Sequence, residues 1–189
     1  VKGALRLLAD IGGTNARFAL QGADRRVFED VEVLACTDYA TLGEAMQAYL
    51  GRAAARGLAV DGLRHAALAI ANPVEGDRVS MTNHHWSFSI EALRLECGFA
   101  TLEVANDFTA LARSLPHLDG QKLQVGGGVA VAGAPLGLLG AGTGLGVSGL
   151  IPAGDGWTAL RSEGGHVGFS PANETEIAIL RFAWREFEH

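Results

Sequence analysis

The amino-acid sequence predicts an α/β protein in two parts, and three observations carry that reading. Short apolar runs of strand length alternate with stretches whose apolar residues recur at helical spacing. Two apolar runs lead through a turn containing Gly and Thr into a further apolar run, once at 12–15 and again at 140–144. The 26 glycines, roughly twice average usage, fall at turns between apolar runs and form no low-complexity tract.

Residues 4–11 are mostly apolar, Gly12, Gly13, Thr14 and Asn15 form a turn signal, and 16–20 are apolar again, which reads as a β-hairpin. The alternating run 27–34 supplies a third strand. Thr41 opens T-L-G-E, a capping box with Glu44 at the third helical position; Leu42, Ala45, Met46, Tyr49, Leu50 and Ala53 follow at helical spacing, and Gly57 stops the helix. Residues 65–71 form a short apolar strand broken by Asn72 and Pro73, and 79–81 are expected to pair back after the turn at Glu75, Gly76 and Asp77. A second helix runs from Ser89 to near Gly98. Residues 102–105 make a strand ending in Asn106 and Asp107, and 108–115 make a short helix closed by Pro116.

The polar stretch 117–124 marks a domain boundary, dividing 1–116 from 117–189. Beyond it, 135–139, the glycine cluster 140–144 and 145–151 repeat the strand-turn-strand pattern of the first hairpin, compatible with two related half-domains. The last helix begins near Asn173 with Glu176 in capping-box position, and Ile177, Leu180, Trp184 and Phe187 form a stripe expected to face a core. That stripe still runs at His189 without a Gly or Pro terminator, which suggests a polypeptide cut inside a larger domain.

With 189 residues, 48% of them apolar, the chain can bury a core. A net charge of -6 and no cluster of Lys and Arg argue against general attraction to nucleic acid. Cys36 and Cys97 match neither a zinc site nor a disulfide framework, so a reducing compartment, the cytoplasm, is expected. Residues 1–9 carry Lys2 and Arg6 and run into Asp10 without a small-residue cleavage site, unlike a signal peptide. No run approaches the roughly 18 apolar residues that span a bilayer, so no membrane association is expected.

Four constellations carry candidate chemistry, each with a plainer alternative. In Asp10-Ile11-Gly12-Gly13-Thr14-Asn15, backbone N–H groups can approach an anion and the Asp can hold Mg²⁺ or its waters; alternatively this is only a tight hairpin turn. In the cluster 140–146, residues 144–149 fit G-x-G-x-x-G, but Leu150-Ile151-Pro152 follows where a helix should open, which excludes a Rossmann site; a glycine-rich turn remains the alternative. No Walker A Gly-Lys-Ser or Gly-Lys-Thr occurs. Asn106-Asp107 pairs a hydroxyl-orienting amide with a proton-accepting carboxylate, or simply caps a helix. Glu163 and His166, brought close by Gly164 and Gly165, suit sugar hydroxyls; metal binding is the rival, but no further His or Cys lies nearby. Asn83-His84-His85-Trp86 reads as a surface or hinge cluster.

Taken in this order, L-A-D-I-G-G-T-N-A-R, M-T-N-H-H-W, V-A-N-D-F-T-A, G-A-G-T-G-L-G and S-E-G-G-H-V-G-F resemble the bacterial glucokinase family, from Leu8 to the end of the chain. The resemblance implies the actin-like ATPase (ribonuclease H-like) two-domain sugar kinase fold. Residues 1–116 would form the small domain and 117–189 the beginning of an incomplete large one. It implies transfer of the γ-phosphoryl group of ATP to the 6-hydroxyl of D-glucose at the entry to glycolysis. The backbone of Ala9, Asp10, Ile11, Gly12, Gly13 and Thr14 and of Gly142, Thr143 and Gly144 would hold ATP, with Asp10 on Mg²⁺ through water. Asn106, Glu163 and His166 would hold glucose, and Asp107 would be the general base.

The same resemblance implies a cytoplasmic homodimer with no nucleic acid or membrane partner. No Cys-rich zinc motif follows His166, which points to the zinc-free branch. The chain is shorter than is usual in the family. The absent part resembles the one that supplies adenosine contacts, much of the large domain, the closing helix of the small domain and a further sugar-binding Glu. A second expectation is therefore a truncated, catalytically inactive sugar-binding or sugar-sensing module of the same fold. A repressor would need a helix-turn-helix, and the chain opens with a strand.

Overall fold

A computed structural model of the chain describes residues 5–24, 26–118, 125–129, 131–142 and 144–187. In order they form β1 (Arg6–Ile11), β2 (Asn15–Gln21), β3 (Phe28–Ala35), α1 (Leu42–Ala55), β4 (His65–Ile70), β5 (Arg78–Ser80), β6 (Ser87–Ser89), α2 (Ile90–Glu96), β7 (Thr101–Asn106) and α3 (Asp107–Ser114). They continue with β8 (Leu136–Ala141), β9 (Leu145–Ala153), β10 (Gly156–Leu160) and α4 (Glu174–Glu186). Short 3₁₀ turns occupy Cys36–Asp38, Leu115–His117 and Gly164–His166.

The first five long strands build one mixed sheet in the order β3-β2-β1-β4-β7. β1, β2 and β3 run antiparallel, whereas β1, β4 and β7 run parallel. Side chains alternate across it as strand geometry requires. Leu7, Ala9 and Ile11, Ala16, Phe18 and Leu20, and Ala66, Leu68 and Ile70 are buried on one face, in a core shared with Leu42, Ala45, Met46 and Tyr49 of α1 and Leu93 of α2. Each large apolar side chain so buried contributes roughly 1.5–3 kcal/mol against exposure. Phe18 stacks on Tyr49 with ring centroids 5.2 Å apart.

Polar contacts fix α1 to the edge strand β3. The β2–β3 register shifts between Phe18 and Leu20, and Asp30, opposite this irregularity, sits at φ 55°. Tyr49 Oη donates to the Asp30 carbonyl at 2.9 Å, and Arg56 Nη2 donates to Asp30 Oδ2 at 2.6 Å and Glu32 Oε2 at 2.8 Å. Arg52 reaches Glu32 at 2.6 Å, and its guanidinium, helped by that of Arg56, holds the Glu32 carboxyl below the usual carboxylate value. Burial raises the Tyr49 hydroxyl pKa, as does the neighbouring Asp30 charge, so the phenol stays a donor.

Both capping boxes form: Glu44 N–H donates to Thr41 Oγ1 at 3.1 Å, and Glu176 N–H donates to Asn173 Oδ1 at 3.0 Å. Each glutamate reaches back to the residue before its cap, Ala40 N–H at 3.0 Å and Ala172 N–H at 2.7 Å.

Three expectations change. Residues 79–81 do not pair back on β4, whose two flanks are already taken by β1 and β7; instead β5 pairs with β6 in a separate ribbon. β6, three residues long, is too short to announce itself, and β10 extends the second hairpin into a sheet ordered β10-β9-β8. The stripe on α4 is not core: no described residue of that helix is buried, and Trp184 is 59% exposed. Phe187 lies beyond the helix end, in extended backbone.

α3 lies between the two sheets, touching β7 and β4 on one side and β8, β9 and β10 on the other. No helix of the described residues is long and apolar enough to cross a membrane. Replacing Tyr49 with Phe should cost about 0.5–1.5 kcal/mol, read as a lower urea midpoint at unchanged slope, because it leaves the Asp30 carbonyl without its donor. An unchanged midpoint would show that this bond does not hold the bulge.

Candidate active site at the carboxyl ends of three parallel strands

Strand register assembles the site. Ile11 pairs with Ile70 and Ile70 pairs with Asn106, so β1, β4 and β7 end in one row. The segments leaving that row are the Gly12, Gly13 and Thr14 turn, Ala71-Asn72-Pro73, and Asp107 at the first turn of α3. Ala71 N–H donates to Ile11 O at 3.0 Å, tying the first two together. Ligands of α/β sheets collect outside such carboxyl ends.

In the first turn, Gly12 N–H is taken by Asn15 O at 2.9 Å, and Thr14 O accepts from Cys36 N–H at 2.8 Å. The N–H groups of Gly13 and Thr14 have no acceptor among the described residues. Gly13 is pressed from behind by Asn83, whose Cβ would lie 2.9 Å from any Cβ added at position 13. Ala9 and Ile11 point into the core, while Asp10 is exposed and pairs across the hairpin with Arg17 at 3.3 Å. An exposed pair of this kind is worth little, so the carboxylate remains available to a cation.

Asn106 caps α3: its Oδ1 accepts from Phe108 N–H at 3.0 Å and Thr109 N–H at 3.2 Å. Its Nδ2 donates to Asp107 Oδ1 at 2.9 Å and to Asn72 O at 3.5 Å. Asp107 Oδ1 also accepts from Phe108 N–H at 2.8 Å, while Oδ2 has no partner among the described residues. The carboxylate is thus anchored through one oxygen and presents the other.

A cleft of about 160 Å³ opens beside this strand end, and Asn106 and Glu163 both line it, with Val74, Thr109, Arg113 and Arg161. Arg161 Nη1 donates to Val74 O at 3.4 Å across the cleft. Asp107 and His166 are not in its wall. His166 Nδ1 lies 3.5 Å from Glu163 Oε2, with the imidazole 83% exposed. The turn bearing both packs on β9, where Gly164 and Gly165 abut Val147 and Leu145.

The second glycine turn caps the β8–β9 hairpin, where Gly142 N–H donates to Gly144 O at 2.8 Å; Thr143 lies outside the described residues. Its neighbours Gly140 and Gly146 have a different reason to be glycine. Phe108, next to Asp107, lies across both, and a Cβ at either position would run into its ring. This wedge joins the carboxylate to the second hairpin. Sequence reasoning missed it because nothing in a spaced glycine pair names its partner.

Asn72, only 8% exposed, was also passed over as a strand breaker; it accepts from Thr82 N–H at 3.0 Å and connects the site to the T-N-H-H-W loop. In that loop both ring nitrogens of His84 are buried with no hydrogen-bond partner among the described residues, against His85 and Trp86. Among the described residues no group of three or more His, Cys, Asp or Glu could hold a metal. Burial pushes the Cys97 thiol up to about 11 and raises Cys36 too, so neither is a ready nucleophile.

Two outcomes follow from these contacts. Gly146→Ala should destabilise by about 1–3 kcal/mol through overpacking, and urea unfolding should show much of that loss vanishing in a Phe108→Ala background; additive losses would contradict the wedge. Burial, then the neighbouring His85, lowers the His84 pKa below its ordinary value near 6.5. The unfolded chain therefore binds the extra proton first: the stabilisation is full above about 6.5 and is lost as pH falls through the depressed value. Melting temperature should drop on acidification through this window, and less so in His84→Phe; an equal drop in both proteins would exclude His84 as a cause.

The glucokinase family profile matches residues 7–189. The chain is 55% identical over 185 residues to a protein of Paraburkholderia xenovorans named bifunctional protein glk, covering 97% of this chain and 28% of that one. It is also 55% identical over 185 residues to a glucokinase of Chromobacterium violaceum, covering 97% of this chain and 51% of that one. The crystal structure of glucokinase from an Antarctic psychrotroph aligns with a TM-score of 0.80 at 33% identity, over 96% of this chain and 57% of that one. The chain spans about half, or less, of the length of these curated relatives. Its α/β architecture with a mixed sheet is consistent with the sugar kinase fold. By profile and by identity, the chain belongs to the glucokinase family.

Proposed function

We propose that this chain is part of an ATP-dependent glucokinase that forms glucose 6-phosphate in the cytoplasm at the entry to glycolysis. The observation that carries this reading is the row of strand ends in which a turn with unspent N–H groups and a carboxylate with one unspent oxygen share an edge. In the proposed division, 1–116 is the small domain of an actin-like two-domain fold and 117–189 begins the large one. A homodimer is the proposed assembly.

The N–H groups of Gly13 and Thr14, with the backbone of Ala9, Asp10, Ile11, Gly12, Gly142, Thr143 and Gly144, would bind the phosphates of ATP. Asn106, Glu163 and His166 would bind hydroxyls of D-glucose, since amide, carboxylate and imidazole together offer donors and acceptors. Asp107 Oδ2 would take the proton from the 6-hydroxyl as that oxygen forms its bond to the γ-phosphorus and the bond to the departing ADP oxygen breaks. Asp10, exposed and held only in a surface pair with Arg17, would hold Mg²⁺ through water, because such a carboxylate suits an ion that keeps most of its waters. Bound Mg²⁺ supplies charge neutralisation on the phosphate oxygens.

A coupled assay for glucose 6-phosphate tests this. Asp107→Asn should lower kcat by about a hundredfold to ten-thousandfold, with glucose and nucleotide binding and the melting temperature retained. Full turnover in the folded variant would remove Asp107 as the base. Glucose binding without any product from the wild-type chain would favour the inactive sugar-binding module.

A further inference from the structure

Loop 81–86 meets the phosphate turn through a contact that the proposed reaction does not explain. Asn83 closes the space behind Gly13, so the direction of the Gly13 and Thr14 amides depends on where Asn83 is held. Asn83 follows Thr82, and Thr82 N–H donates to Asn72 Oδ1 at 3.0 Å. Asn72 is itself fixed on every side: its N–H donates to Ile70 O at 2.8 Å, its Nδ2 to Pro73 O at 3.1 Å, and its carbonyl accepts from Asn106 Nδ2 at 3.5 Å. The residue before it is bonded to Ile11 O. A buried amide with both side-chain ends engaged is a rigid anchor.

We propose that Asn72 is a positioning residue, which seats loop 81–86 against Gly13 and thereby holds the phosphate turn in the same frame as the Asn106-Asp107 strand end. This rests on the kinase reading of the site. Anion cradles act by dipoles aimed before the ligand arrives, and a turn free to rock on its hairpin would lose that aim. Asn83 is the part that touches the turn; His85 and Trp86 hold the far end of its loop on Ala40 O and Tyr39 O, and Asn72 holds the near end through Thr82. The effect belongs to the nucleotide side, because the side chain of Asn72 bonds to the loop, whereas only its main chain meets Asn106.

The test compares the wild-type chain, Asn72→Ala and Asn72→Asp by amide hydrogen exchange without ligand and by calorimetric titration with Mg-ATP and, separately, glucose. Gly12 N–H, bonded to Asn15 O, reports the turn, and Thr82 N–H reports the loop. Asn72→Ala should speed exchange at Gly12 and Thr82 but not in β8, and should weaken Mg-ATP binding about tenfold to a hundredfold while glucose changes by no more than about threefold. Asn72→Asp keeps the oxygen that accepts from Thr82 and should restore slow exchange at Gly12 and most of the nucleotide affinity. Unchanged exchange at Gly12 in Asn72→Ala, or equal loss for both ligands, would overturn the proposal. If Asn72→Ala does not fold, fast exchange at Gly12 in Asn72→Asp would overturn it equally. If the wild-type chain binds no nucleotide, these residues alone do not make the nucleotide site of the kinase reading, and exchange at Gly12 alone decides whether Asn72 holds the turn.

Discussion

Parallel pairing of β1, β4 and β7 is the constraint on which the rest of this molecule depends. Because the pairs are in register from Arg6-His65-Thr101 to Ile11-Ile70-Asn106, three segments far apart in sequence leave the sheet side by side. A shift of one residue in any of them would turn its core face outward, moving Ile70 from the interior and Asn106 from the cap of α3. The buried alternation of Leu7, Ala9 and Ile11 with Ala66, Leu68 and Ile70 therefore fixes the site as well as the core.

Much of this was legible in the sequence because the signals were local. Apolar runs bounded by Gly or Asn-Pro gave the long strands, and the capping boxes at Thr41 and Asn173 gave α1 and α4 their starts, with bonds that the structure contains. Asn106 and Asp107 were located as a strand end before a helix, and the helix-capping alternative holds for Asn106 alongside any ligand role. What stayed hidden was set by tertiary neighbours. β5 was assigned the wrong partner because sequence cannot tell that both flanks of β4 are occupied. The α4 stripe has helical periodicity, but whether a facing surface exists is not written in the helix itself.

The glycines separate these two kinds of information. At Gly13 the absence of a side chain serves Asn83, and at Gly140 and Gly146 it serves Phe108, so three glycines in the two glycine-rich hairpins are small because a neighbour needs the room. Such packing puts the two hairpins in mechanical contact with the ends of the parallel strands: Asn83 braces the first turn, and Phe108, the residue after Asp107, wedges against the second. Glu163, carried by a turn that packs on β9, reaches the same cleft as Asn106. His166 points to solvent from that turn, beside Glu163.

One row of strand ends gathers both the Gly12-Gly13-Thr14 turn and the Asp107 carboxylate, the proposed nucleotide and sugar ends of the site. Amide chemical-shift mapping tests it most directly, with separate titrations of Mg-ATP and glucose into the labelled chain. The account predicts nucleotide shifts concentrated at Gly12, Gly13 and Thr14 and glucose shifts at Asn106, Asp107 and Glu163. Perturbations confined instead to the β3 edge or to α4, with the strand ends unmoved, would contradict it.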